Sequence, residues 1–263
     1  MLTVRATYIG GPTVLLEVGG FHLLTDPTLD PGGSEYTTAV YTLRKAEGPA
    51  LSAAELPAID AVLLSHDHHF DNLDRAGRQL VERAPVIFTT IAGAERLGGN
   101  ALGLAPWTSR MLGAPAQAAL RLTGTPARHG PVGGDRGPVT GFLITDASAT
   151  DSPTTPAIYI SGDTVWYDEL ETIPSRADVR VAVLFGGAAR VREVGPAHLT
   201  MTADEMLMAA HAFPHAVIVP LHYAGWAHFS EGRTEIARAF EAARLTDRLL
   251  WLPPGHTTEL DPI

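Results

Sequence analysis

Apolar and polar positions follow two periods along this chain. Residues 2–9 alternate in character before the Gly10-Gly11-Pro12 turn, and Thr13–Val18 and Phe21–Thr25 alternate on either side of Gly19-Gly20. Alternation with period two marks a half-buried strand, and a Gly-Gly pair between two such runs predicts a hairpin with a tight primed turn. Residues 58–65 (AIDAVLLS) form a short apolar run, read as a buried strand. Further strands are expected at 86–89, 116–123, 140–145, 157–161, 179–185, 216–221 and 249–252. Helical spacing covers 72–84, 202–213 and 231–245. Pro85 and Pro214 stop the first two helices, and Thr202 with Glu205 forms a capping box. Helices fall between strands, so the expected class is α/β (α+β): sheets covered by helices, with ligands at strand ends. The loose stretches 26–50, 98–116 and 146–156 are each flanked by regular segments. They read as loops inside one domain spanning 1–263.

Composition narrows the function classes. A chain of 263 residues with 45% hydrophobic and 18% charged positions can bury roughly 73% of its unfolded surface, so its core needs no staple. Lys+Arg 19 against Asp+Glu 29 gives a net charge of −10, which argues against a nucleic-acid partner. The absence of Cys excludes disulfides, thiolate metal sites and cysteine nucleophiles together. No apolar run approaches the ~18 residues of a membrane span, and no amphipathic basic helix suggests membrane docking. The N-terminal MLTVRATYIGG lacks the pattern of a signal peptide, so a cytoplasmic location is expected. What stands out is 11 His, three of them within four residues.

That cluster lies in Ser65-His66-Asp67-His68-His69-Phe70-Asp71-Asn72-Leu73-Asp74, directly after the buried run. In an extended segment residues i and i+2 point the same way, so His66 and His68 are expected to converge on one ion. Neutral imidazole is a strong ligand for zinc and other transition metals. The plainer reading is a polar loop that caps the next helix. Three His and three Asp are dense for a cap alone. Other donors sit at strand ends or turns: His129 in PARHG, Asp163 after Gly162 in SGDT, and His222 in VPLHY. Singly, each reads as a hydrogen-bonded structural residue; their combination with the cluster carries the metal reading.

HDHHFDNLD, PARHG, SGDT and VPLHY, in this order, resemble the metallo-β-lactamase fold hydrolases. The similar branch holds the ascorbate-6-phosphate lactonase-like and N-acyl phosphatidylethanolamine phospholipase D-like proteins. Tyr8-Ile9-Gly10-Gly11-Pro12-Thr13, Thr25-Asp26-Pro27 and Gly225-Trp226-Ala227-His228-Phe229 extend the resemblance over nearly the whole chain. It implies a four-layered αββα sandwich with a metal cleft at one edge between the sheets. It matches His66, His68 and His129 to a first metal site, Asp163 to the bridging carboxylate, and Asp71 and His222 to a second site. One departure stands out. The family pattern H-x-H-x-D-H would place Asp at 70 and His at 71, where this chain has Phe70 and Asp71. One extra residue after His68 restores the register and leaves Asn72 in the second His place. His69 and Asn72 are then the possible substitutes at the second site, and an amide oxygen is a poor zinc partner beside imidazole. One tight Zn2+ and a weaker second ion are expected, with Mn2+ or Fe2+ as alternatives.

The resemblance implies a zinc-type hydrolase using a metal-activated hydroxide on a small ester, lactone or phosphodiester-type substrate. Asp71 would orient the nucleophile and accept its proton, and His222 would hold the second ion or steady the oxyanion. His198, His228, Trp166 and Tyr167 are pocket candidates, with His256 behind them. His22, His211 and His215 read as structural or solvated, and Asp26 as a turn or supporting residue. The long loop 28–49 reads as a lid whose Tyr36, Tyr41, Arg44 and Lys45 could meet an anionic substrate. Two other classes remain: an iron-dependent redox enzyme on the same fold, and a metal-binding protein without turnover. Oligomeric state is not legible.

Overall fold

Gly19 and Gly20 take φ values of 57° and 91°, which glycine adopts at no steric cost. That turn folds Thr13–Val18 antiparallel onto Phe21–Thr25, as the alternation predicts. The structure is a computed structural model that describes residues 2–113 and 119–263. The hairpin belongs to a seven-stranded sheet ordered Thr257–Leu260, Val4–Gly10, Thr13–Val18, Phe21–Thr25, Ala61–Leu63, Ile87–Thr89, Ala101–Gly103. A six-stranded sheet is ordered Val217–Leu221, Asp178–Phe185, Pro156–Ile160, Gly141–Asp146, Leu120–Thr125, Ser109–Leu112. The first sheet is parallel from Phe21–Thr25 onward, and the second is parallel across its first three strands.

Strand periodicity divides the apolar residues between layers. Ile158 and Ile160 enter the core between the sheets, while Ala157 and Tyr159 face the outer layer. Val181, Val183 and Phe185 point inward, and Ala182 and Leu184 outward. Strands buried on both faces read as unbroken apolar runs, the pattern seen in the sequence. On the first sheet, Leu16, Leu23, Leu63 and Phe88 line the same inner core. Its outer face packs Val62, Leu64 and Ile87 against helix α1, Arg75–Val81. Helix α2 is Ile91–Leu97. The outer face of the second sheet is covered by α3, Ala203–Ala212, and α4, Arg233–Ala242, through Met206, Ala210, Ile236 and Phe240. The result is the expected four-layered αββα sandwich.

Helix α3 begins as expected. The Thr202 Oγ1 accepts from the Glu205 backbone N–H at 3.1 Å, and Glu205 Oε2 accepts from the Thr202 N–H at 2.9 Å. Thr202→Ala should cost about 1 kcal/mol, read as a lower midpoint in urea unfolding. An unchanged midpoint would mean that water replaces the cap at no cost.

The short and irregular elements depart from expectation. Helix α1 starts after Asp74, whose carboxylate caps Gly77, rather than at residue 72. Residues 249–252 form no strand: Leu249 makes an isolated bridge to Ile218, and the last strand is Thr257–Leu260. The loose stretch 26–50 contains a hairpin of Glu35–Thr37 and Thr42–Arg44, the stretch 98–116 expected as a loop contains the edge strands Ala101–Gly103 and Ser109–Leu112, and α2 occupies ground that periodicity leaves unassigned. Runs of three or four residues are too short to display a period. The strand expected at 116–123 begins outside the described residues; its described part lies in Leu120–Thr125. Among the described residues no helix is long and apolar enough to cross a membrane.

Candidate metal centre

The parallel strands Ala61–Leu63, Pro156–Ile160 and Val217–Leu221 release their following loops at one edge of the sandwich, where open α/β sheets place ligands. The first loop is anchored at Ser65. Its N–H and Oγ–H donate to Asp26 Oδ1 at 2.9 and 2.6 Å. The Ser65 Oγ proton is thereby committed, so its lone pair accepts from His66 Nδ1 at 2.9 Å. That bond fixes the His66 tautomer and leaves Nε2 as a lone pair facing the site. His129 is fixed in the same sense: its Nδ1 donates to the Leu199 carbonyl at 2.8 Å.

Both Nε2 lone pairs face one atom, His69 Nδ1, at 2.9 Å from His66 and 3.2 Å from His129. His69 can supply one proton at most, so hydrogen bonding cannot satisfy all three rings. Burial pushes His66, His69 and His129 below the usual imidazole range, His69 to about 3. They are neutral at pH 7, the form that binds metal.

The structure does not bring His68 into this group. The chain bends at residues 67–68 and turns at 70–72, so His69 brings a ring nitrogen to His66 Nε2, while the His68 ring packs beside them with its centroid 4.8 Å from that of His66 and 4.3 Å from that of His69. His68 Nε2 instead donates to the Arg136 carbonyl at 2.9 Å. Arg96 grips the Asp67 carboxylate and Arg78 donates to the Asp67 carbonyl, which pins the bend. Burial opposes ionisation of Asp67, but the Arg96 hydrogen bonds hold its carboxyl well below the usual range.

Asp71, Asp163 and His222 make a second buried group. His222 Nε2 lies 3.6 Å from Asp71 Oδ2 and 3.5 Å from Asp163 Oδ1, while Asp163 Oδ2 lies 3.7 Å from His129 Nε2. Asp163 therefore stands between the two groups. Burial alone would drive His222 down; the Asp163 and Asp71 carboxylates raise it to about 10. These carboxylates demand a positive charge, and a cation can replace the proton in that role. Asn72 turns its Nδ2 to Asp163 Oδ1 at 3.2 Å, and its Oδ1 is buried without a partner. Asp163 Oδ2 and His222 Nε2 are also buried without hydrogen bonds. Neutral imidazoles, carboxylates and orphaned donor atoms together fit a divalent metal ion.

Of the pocket candidates, His228 belongs to the site: its Nε2 lies 3.0 Å from Asp71 Oδ2. His198 does not; its Nε2 meets Glu205 Oε1 at 3.1 Å beside the start of α3. Trp166 and Tyr167, expected to wall the cleft, pack against the outer core of the second sheet instead. Trp166 meets Phe213 edge-on, and Arg128 stacks over Tyr167, so packing holds both rings on the outer face. His256 is exposed beyond the Gly255 turn. Lys45 is buried, its Nζ 2.9 Å from Asp74 Oδ2 and 2.8 Å from the Thr28 carbonyl, and is closed to substrate. Tyr36 is buried too, its hydroxyl on Asp30 at 2.6 Å. Sequence reasoning missed Ser65 as the anchor of His66, although it directly precedes the cluster. It also missed Arg136, which no local motif marks.

An αββα sandwich with two His/Asp donor groups at the shared strand-end edge defines a metal-binding domain of the metallo-β-lactamase fold. The chain belongs to the beta-lactamase superfamily domain family, whose profile matches residues 22–223. It is 26% identical to a UPF0173 metal-dependent hydrolase of Ignicoccus hospitalis, over 99% of this chain and 100% of that protein. It is 25% identical to the UPF0173 protein YddR of Bacillus subtilis, over 89% of this chain and 91% of that one. A possible metal-dependent hydrolase from Veillonella parvula shares the fold with a TM-score of 0.80 at 21% identity, covering 98% and 100% of the two chains. An isothiocyanate hydrolase from Delia radicum gut bacteria does so with a TM-score of 0.77 at 23% identity, covering 97% and 98%.

Proposed function

We propose that the protein is a metal-dependent hydrolase acting on a small ester, lactone or phosphodiester-type substrate. The observation that carries this reading is the convergence of His66, His69 and His129 beside Asp71, Asp163 and His222. The description of full-length relatives as metal-dependent hydrolases supports it. Bound zinc, or manganese or iron in its place, would lower the pKa of a water and polarise the scissile carbonyl or phosphoryl oxygen. The remaining work falls to the chain. Burial opposes ionisation of Asp71, but His222 and His228 hold its carboxyl well below the usual range. Its Oδ2 therefore accepts a hydrogen bond from the attacking water and sets its orientation. His228 steadies that oxygen through Nε2 and stands on the side from which substrate enters. His222, with Asp71 and Asp163, would hold the second ion.

The test is a panel of chromogenic esters, lactones, phosphodiesters and an isothiocyanate, assayed with and without zinc or manganese. A metal-dependent rate on one class identifies the bond cleaved. No metal-dependent rate on any class would favour a binder without turnover, and the identity of the native metal separates hydrolysis from iron-based redox chemistry.

The two ions are not equal in this reading. Asn72 offers Asp163 an N–H donor where the family pattern supplies an imidazole. Elemental analysis after gentle purification should give close to one tightly held ion per chain, with a second added only at excess metal. Asn72→His should tighten the second by about tenfold or more. Two tightly held ions in the natural chain would sink the idea of a weak second site.

A further inference from the structure

Next to the centre lies an open cleft of about 560 Å³, and its construction is specific. Its floor is Ala227-His228. One wall is residues 38–44, the tip and the second strand (Thr42–Arg44) of the hairpin; the other is the segment 190–193. Both walls are bonded to the floor. The Ala227 N–H donates to the Arg44 carbonyl at 3.0 Å, and the Arg190 N–H donates to the His228 carbonyl at 2.9 Å. Tyr41, Leu43, Val191 and His228 line this cleft and also the inner pocket that holds His69, Asp71, His129 and Arg136. The outer cleft and the inner pocket therefore adjoin at these four side chains, next to the metal-ligating group.

Charge in the outer cleft is one-sided. Arg44, Arg190 and Arg192 line it against one acidic lining residue among those described, Glu193, while Arg136 lines the inner pocket beside Asp71 of the centre. Arg44 pairs with Glu35 at 2.9 Å. Among the described residues, Arg136, Arg190 and Arg192 have no carboxylate within ion-pair distance. The chain as a whole carries −10, so its distant field repels anions. Three guanidiniums without a carboxylate partner among the described residues, beside the centre, mark a local exception. Guanidinium forks bind carboxylate and phosphate bidentately.

We infer that the cleft selects substrates bearing an oxyanion, carboxylate or phosphate, at the end remote from the bond that is cleaved. This rests on the hydrolase reading: the scissile group sits at Asp71 and His228, and the anionic tail lies between Arg190 and Arg192. Val40 and Val191 flank the space between and suit a short apolar linker.

The kinetic arm compares mono-4-nitrophenyl glutarate with neutral 4-nitrophenyl valerate on the zinc-loaded protein. The anionic ester should show a kcat/KM about tenfold higher or more. Arg190→Ala with Arg192→Ala should erase that preference, mainly through a KM about tenfold higher for the anionic ester and a smaller change for the neutral one. The binding arm needs no turnover. Glutarate and inorganic phosphate are titrated calorimetrically into metal-free protein and into the double variant, which tells carboxylate from phosphate as the preferred tail. Loss of binding in the variant supports the inference. Equal kcat/KM for the two esters, or equal anion binding by natural and variant proteins, overturns it. If neither ester is hydrolysed but the variant alone loses anion binding, the cleft assignment stands and the panel of bond classes decides the hydrolase reading separately.

Discussion

Replacing His66 and His129 together by alanine is expected to strip the metal from the protein and reduce hydrolysis by about 10³-fold or more. The size follows from the several kcal/mol that an ion contributes by polarising the reacting group and acidifying water. Both imidazoles are preset for ligation, His66 by Ser65 and His129 by the Leu199 carbonyl. Losing both leaves His69 alone on that side. Elemental analysis should show the loss, and far-UV circular dichroism should show a retained fold, because the sheets are held by a separate apolar core. A milder His129→Gln variant should retain the fold and bind metal more weakly than the natural chain. If the double variant kept its ion and its rate, these histidines would not be the ligands and the proposed centre would be wrong.

The second large effect lies outside the centre. Gly77→Ala should destabilise the protein by about 3 kcal/mol, toward the upper end for overpacking. Helix propensity argues the opposite sign, since alanine is favoured over glycine by about 1 kcal/mol in a helix. Geometry decides. A Cβ on Gly77 would lie 1.8 Å from the Pro27 carbonyl oxygen and 2.8 Å from its carbon. Those are backbone atoms of the turn that presents Asp26, so relief requires α1 to lift away from it. A lower urea midpoint is the expected readout, accompanied by weaker metal binding as Asp26 and Ser65 shift. An unchanged or raised midpoint would show that helix and turn do not meet this closely in solution.

The long strands and the order of the chemical motifs were legible because both follow local rules. Apolar runs such as VIVPL end in the residues that carry chemistry, and one-dimensional order survives folding. Which imidazole nitrogens face one another was not legible. Extended geometry pairs His68 with His66, but Arg78 and Arg96, which pin Asp67, are remote signals that no local period contains. Trp166 and Tyr167 follow the Asp163 loop in sequence yet pack outward, because Phe213 and Arg128 offer them partners there. Lys45 shows the same limit. A lysine in a long loop reads as solvated until Asp74, 29 residues later, is seen to bury it. Asn72 was visible as a departure from pattern, while its contact with Asp163 across 91 residues needed the fold.

The distribution of the donors along the chain has a consequence for folding. His66, His69 and Asp71 follow a strand of the first sheet; Asp163 and His222 follow strands of the second. Neither half owns a complete set, so an ion bound here recognises only chains in which the two sheets have already docked. By mass action, free metal at a hundred times its dissociation constant would deepen the native basin by about 2.7 kcal/mol. Metal uptake would thus report completion of the fold, and a chelator would act as a selective denaturant of the seam between the halves.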